Sequence, residues 1–214
     1  GIRLNTNEAD PLQRANDSTY RKTVFANYYA YDDGTAEAGF SFPGSSSTQV
    51  AQRFDLNQPD QVTAFRVYFP RVRTNLAGTT LTFKVWADNN GVPGELLHQQ
   101  NFQIQYSNRL NEFYEVQLSK PVPVSGSFYI GWQQPGNLFV NIGFDRNEDA
   151  TGRRFLFTGL TQWTVDNQLK GAIMMRPVMV GEALGLAEEM DAARIKVFPN
   201  PSNGRVHIDG DYVQ

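Results

Sequence analysis

The chain has 214 residues, 40% of them hydrophobic, with fifteen Phe, nine Tyr, three Trp, no Cys and a formal net charge of −3. Such a chain buries a sizeable core without disulfide staples, each large apolar side chain contributing about 1.5–3 kcal/mol. A negative balance with no basic stripe argues against a nucleic-acid partner. No apolar run approaches the about 20 residues of a membrane span, and the lack of Cys excludes a thiol enzyme.

Residues 1–23 are polar and weakly patterned, and read as a linker or the tail of an upstream domain. The chain begins at Gly1 without a signal peptide, as expected of a processed product or an excised segment. From Val24 onward it turns β-rich. Residues 64–69 and 81–86 alternate apolar and polar with period two, and further strands are predicted at 102–105, 113–118, 127–132, 139–144, 155–157 and 172–180. Turn signals separate them: Asn89-Asn90-Gly91, Pro93-Gly94, Ser125-Gly126 and Pro135-Gly136. With no helical stretch to carry a parallel crossover, the pattern predicts an antiparallel β-sandwich of jelly-roll type over 24–181. An acidic linker follows at 182–194. Residues 195–214 then open a second unit: Val197-Phe198 leads into Pro199-Asn200-Pro201, Asn203-Gly204 supplies a turn, and Val206 and Ile208 share a strand face. The expected fold is all-β, a sandwich plus the first strands of a small second β-sandwich.

Candidate chemistry is sparse. The two His, His98 and His207, have no neighbouring nucleophile motif, and zinc lacks its N and S ligands. Oxygen-rich loops suit calcium better, because Ca²⁺ takes six to eight oxygens from bendable loops. Asp32, Asp33 and Glu37 surround Gly34; Asp145, Asn147, Glu148 and Asp149 form a second loop, and Asp88-Asn89-Asn90 a weaker third. The expected metal ligands are Asp32, Asp33, Glu37, Asp145, Asn147 and Asp149, holding a structural Ca²⁺. The competing reading is solvated turns, with Arg146, Arg153 and Arg154 neutralising the second loop. A pair among the same carboxylates is also what glycoside hydrolysis requires. Trp86 and Trp132 lie inside strand patterns and are expected in the core, as are Met174 and Met175. Trp163, after a Gly turn, and the pair Tyr28-Tyr29 are the candidate ligand-binding aromatics.

Two family resemblances add to this reading. The order Phe198-Pro199-Asn200-Pro201, Asn203-Gly204, Val206, Ile208 resembles the opening of the C-terminal sorting domain carried by cargo of the bacterial type IX secretion system. The segment 31–180 is similar in outline to the jelly-roll modules near the C-termini of such cargo, including the adhesin-type modules of the gingipain proteases. The residues that carry this likeness are Tyr31-Asp32-Asp33-Gly34, Val85-Trp86-Ala87-Asp88 through Leu97, Pro121-Val122-Pro123-Val124 and Phe128-Tyr129-Ile130-Gly131-Trp132. The resemblance implies export by the type IX machinery, secretion or display at the outer cell surface, and a non-catalytic accessory module of adhesive or ligand-binding kind; it does not name the ligand, for which a glycan and a surface protein are the candidates. A carbohydrate-active enzyme domain and a purely structural spacer are the rival readings.

Overall fold

The computed structural model describes residues 2–3, 18–19, 27–42, 45–72, 74–159, 162–181, 196–198 and 207–209. They form sixteen strands and no helix, so among them no helix is long and apolar enough to cross a membrane. The short strands β1 (Ile2–Arg3) and β2 (Ser18–Thr19) pair with each other. The body of the chain consists of β3 (Ala38–Phe40), β4 (Gln49–Asp55), β5 (Asp60–Val67), β6 (Thr80–Asn89), β7 (Val92–Gln103), β8 (Tyr114–Val124), β9 (Ser127–Gln133), β10 (Ile142–Asp145), β11 (Arg154–Phe157), β12 (Thr164–Val165), β13 (Ala172–Ile173) and β14 (Met175–Met179).

One layer is a six-stranded sheet in the order β12-β11-β4-β9-β6-β7; the other combines β13-β10-β3 with β14-β5-β8, all antiparallel. Met174 joins the two three-stranded pieces. Its N–H donates to Gly143 O (2.8 Å), its carbonyl accepts from Tyr68 N–H (3.2 Å), and Gly143 N–H donates to Tyr68 O (2.8 Å). Only glycine fits at 143, because a Cβ there would lie 2.6 Å from the Tyr68 ring and 2.7 Å from Met174 Sδ. Successive strands cross between layers, β4 in one, β5 in the other, β6 and β7 back, β8 across, β9 back and β10 across, as in a jelly roll.

The core follows the alternation. Val50 and Phe54 of β4, Leu81, Phe83 and Val85 of β6, and Phe128, Ile130 and Trp132 of β9 meet Val62, Phe65 and Val67 of β5 and Ile173 and Met175 of the facing layer. Phe65 and Phe83 touch edge to face with centroids 4.9 Å apart, across the two sheets. Trp132, Met174 and Met175 are fully buried, as expected. The β6–β7 hairpin closes on Asn90 and Gly91, whose φ values of 53° and 87° suit the turn that a two-residue hairpin prefers.

Several strands differ from expectation. β4 lies at the centre of its sheet but turns Gln52 inward among its apolar residues, which hides the alternation; Gln52 is buried and its Nε2 finds no hydrogen-bond partner. β7 runs unbroken from Val92 to Gln103, through the Pro93-Gly94 expected as a turn, and joins the strand expected after Gly91 to the one expected at 102–105; as an edge strand it tolerates the proline. β10 starts at Ile142, leaving Leu138 and Phe139 exposed in the preceding loop. At the other layer's edge, Pro121 and Pro123 sit in β8, where a missing N–H is tolerated and blunts strand addition. The terminal strands β15 (Lys196–Phe198) and β16 (His207–Asp209) pair antiparallel, Val197 opposite Ile208, in the two stretches read from sequence as strands. The residues between them, including Pro199, Asn200, Pro201, Asn203 and Gly204, lie outside the described residues, as do the linker at 182–194 and most of 1–23.

Residues 27–37 strap onto β14. Tyr28 bridges to Val178, Tyr29 N–H donates to Pro177 O, and Asp32 forms a buried bidentate ion pair with Arg176. The Arg176 guanidinium also lies over the rings of Phe113 (4.1 Å) and Tyr28 (5.0 Å). Removing one partner of such a pair strands a buried charge. Asp32→Ala is expected to destabilise the fold by about 3–5 kcal/mol in urea unfolding, whereas replacing the exposed Asp149 should change it by less than about 0.5 kcal/mol.

Candidate functional site

The two acidic loops, read from sequence as separate candidate calcium clusters, meet in space. Asp33 N–H donates to Asp145 Oδ2 (2.6 Å) across 112 residues of sequence. Asn147 Nδ2 donates to Glu37 Oε1 (3.0 Å), and Arg146 N–H to Glu37 Oε2 (2.8 Å). Asp145 is fully buried and also accepts from the N–H groups of Asn147 and Glu148. Burial raises the Asp145 carboxyl above its usual range against those three N–H bonds, and the neighbouring Asp33 charge pushes the same way. Hydrogen bonding from Thr35 lowers Asp33.

The remaining predicted ligands lie elsewhere. Asp32 is committed to Arg176, and Asp149 accepts from Thr151 within its own turn. Among the described residues no group of three or more His or carboxylate side chains is gathered to hold a metal ion. The oxygens of Asp33, Glu37 and Asp145 face N–H and O–H donors, so this arrangement does not fit a Ca²⁺ cage as it stands. Arg153 and Arg154 do not neutralise this cluster. Arg153 bonds Asp55, and Arg154 is buried against Asp166 and the carbonyl of Leu169.

The predicted aromatics are not brought to one place. Trp163 lies on the outer face of the six-stranded sheet, half-buried, its ring 5.4 Å from Trp86 and 5.5 Å from Phe157. It covers Trp86, which is buried as expected but in a separate cluster with Ala51, Tyr129 and Phe155, outside the main core. That second cluster buries β9 on both faces. Its Tyr129 hydroxyl donates to Asp88 (2.7 Å); burial and that carboxylate raise its pKa strongly. On the same face Lys84 is nine-tenths buried, with Gln49 Oε1 (3.1 Å) as its hydrogen-bond partner; burial lowers its pKa. Tyr28 lies between Arg66 and Arg176 beside β14, and Tyr29 is exposed next to it. No shared platform joins them to Trp163.

A cleft absent from the sequence reading completes the inventory. Its volume is about 540 Å³ and it lies between the layers, with Asp60, Gln61 and Val124 on one side and Ala87 and Phe128 on the other. Ser125 and Ser127 form part of its rim, and Val180 lies where the chain leaves the sandwich. The turn that positions Ser125 depends on Gly126, whose φ is 58°. A smaller cavity of about 330 Å³ lies among Arg71, Val72, Asn75 and Tyr106. No single sequence motif marks either one, since each is assembled from separate turns. Compared with known proteins, the chain matches no family model, no curated protein and no solved structure.

Asp55 shows how the end of β4 is held within the six-stranded sheet. It accepts from Arg53 Nε (2.8 Å), Ser127 Oγ (2.8 Å) and Arg153. Desolvation by itself would raise its pKa, but the bonds from Arg153, Ser127 and Arg53 outweigh it and hold the group at about 2. A folded-state pKa below the unfolded value of about 3.9 stabilises the fold above that value and is lost as pH falls toward the folded one. Thermal melts should therefore show Asp55→Asn below wild type near neutral pH, with the gap closing between about pH 4 and pH 2. A gap that is constant across that range would assign the effect to packing.

Proposed function

We propose that this chain is a non-catalytic recognition module of an exported protein, sent through the type IX secretion system and secreted or held at the outer cell surface, with its C-terminal segment as the address. The cleft between the layers carries the binding reading: a concavity of about 540 Å³ with an apolar floor and a polar rim, within the about 300–1,000 Å³ usual for ligand sites. What favours binding over glycoside hydrolysis is that the cleft carries one carboxylate, Asp60, where that chemistry uses a pair. Support for export is the order of residues 198–208 described above. A glycan and a surface protein are the two ligand classes to test. On an array of glycans and immobilised surface proteins, saturable binding is expected. Trp163→Ala weakens it if the outer face is the platform and leaves it intact if the cleft is. A folded chain that binds nothing would leave the spacer reading.

A structural Ca²⁺ between Asp33, Glu37, Asp145 and Asn147 is the companion proposal. It is favoured by the Asp33–Glu37 loop meeting the Asp145–Asn147 loop, with no Lys or Arg side chain bonded to these carboxylates among the described residues, and it requires these side chains to turn from their present donors and gather around an ion. Because a ligand of the native state must raise stability, millimolar CaCl₂ is expected to raise Tm and EDTA to reverse the rise. An unchanged Tm in both would overturn it and leave a metal-free hydrogen-bonded lock.

A further inference from the structure

The cleft's lining is chemically one-sided. Its polar groups are the Asp60 carboxylate, the amides of Gln58 and Gln61 and the hydroxyl of Ser125, the Ser127 hydroxyl being held by Asp55 and Arg53; among the described residues no Lys or Arg lines it. Asp60 accepts a bond from the adjacent Gln61 N–H (2.7 Å) and has no ion-pair partner among the described residues. The apolar part is aliphatic: Leu97 and Val124, with Val180 45% exposed at the mouth. Phe128, the one aromatic residue in the lining, is 0% exposed and offers no ring face on which a sugar could stack. Aliphatic walls beside an unpaired carboxylate match an aliphatic side chain next to a cationic one, and charge complementarity sets which partner is admitted.

Resting on the recognition-module reading, we propose that this cleft takes an extended peptide segment in which a Lys or Arg adjoins an aliphatic residue, the aliphatic group against Leu97 and Val124 and the cation at Asp60. Pro121 and Pro123 leave β8 without N–H groups at those positions, so the peptide is held by side chains and not by a continued β-ladder.

The test titrates the ¹⁵N-labelled full chain with three probes: an end-capped hexapeptide alternating Leu, Lys and Val, the same peptide with Glu for Lys, and a neutral β-glucan hexasaccharide. The basic peptide is expected to shift the amides of Gln61, Ala87, Val124 and Ser127, and the acidic one to leave them unmoved. Asp60→Asn should weaken binding about two- to five-fold, the range of a partly exposed ion pair. Ser125→Arg, a change at an exposed turn that leaves the core alone, should abolish it. Equal binding of both peptides, or binding that survives Ser125→Arg, would overturn the proposal. Sugar-induced shifts at these amides with no response to peptide would overturn it too, while sparing the recognition-module reading. Silence from all three probes and from the array would remove both.

Discussion

The arrangement depends on β9 being buried on both of its faces. Phe128, Ile130 and Trp132 close the main core, while Tyr129 on the opposite face sits under a second aromatic layer with Trp86 and Phe155. At Gly131 the neighbouring β4 comes so close that a Cβ would collide with the Val50 carbonyl. A strand covered on both sides cannot slip by one residue, since either face would then receive the wrong side chains. β9 therefore fixes the register of β4 and β6, its neighbours in the ladder. Their turns in turn set the positions of Asp55, Asp88 and the Ser125–Ser127 rim.

The second layer is held differently. It is pieced together at Gly143, Tyr68 and Met174, and strapped along β14 by residues 27–37 through the Asp32–Arg176 pair. Buried ion pairs contribute little net stability compared with apolar replacements, but they are unforgiving of partial removal. Here the pair fixes where the strap runs, and so brings Asp33 against Asp145. The cluster around Asp33 and Asp145 is thus a consequence of how the strap and the β10–β11 loop converge.

Trp163 illustrates the division of roles among the aromatics. It shields Trp86 and yet remains half-exposed, so one face of the ring covers the outer cluster while the rest of it meets solvent. In the cleft the exposed rim residues Gln58, Gln61 and Ser125 stand apart from the floor, where Phe128 belongs to the core.

Much of the fold was legible along the chain. Period-two alternation in β5, β6 and β9 reports one buried face directly, Asn90-Gly91 marks its hairpin, and missing helical patterns leave an antiparallel sandwich. β4 was not legible, because Gln52 faces inward and a polar residue there is read as an interruption. Of the acidic residues, composition picked out two loops that prove to meet, but not the partner of each carboxylate. Asp32 and Asp33 are adjacent in sequence, yet one faces Arg176 and the other the Asp145 loop. Local pattern determined the strands and turns, since those depend on neighbours a few residues away. Only the tertiary structure decided which carboxylates meet, that Trp163 and Tyr28 lie apart, and that a cleft opens beside Asp60. Such outcomes depend on contacts between residues far apart in the chain, and no spacing along one strand encodes the distance between two sheets.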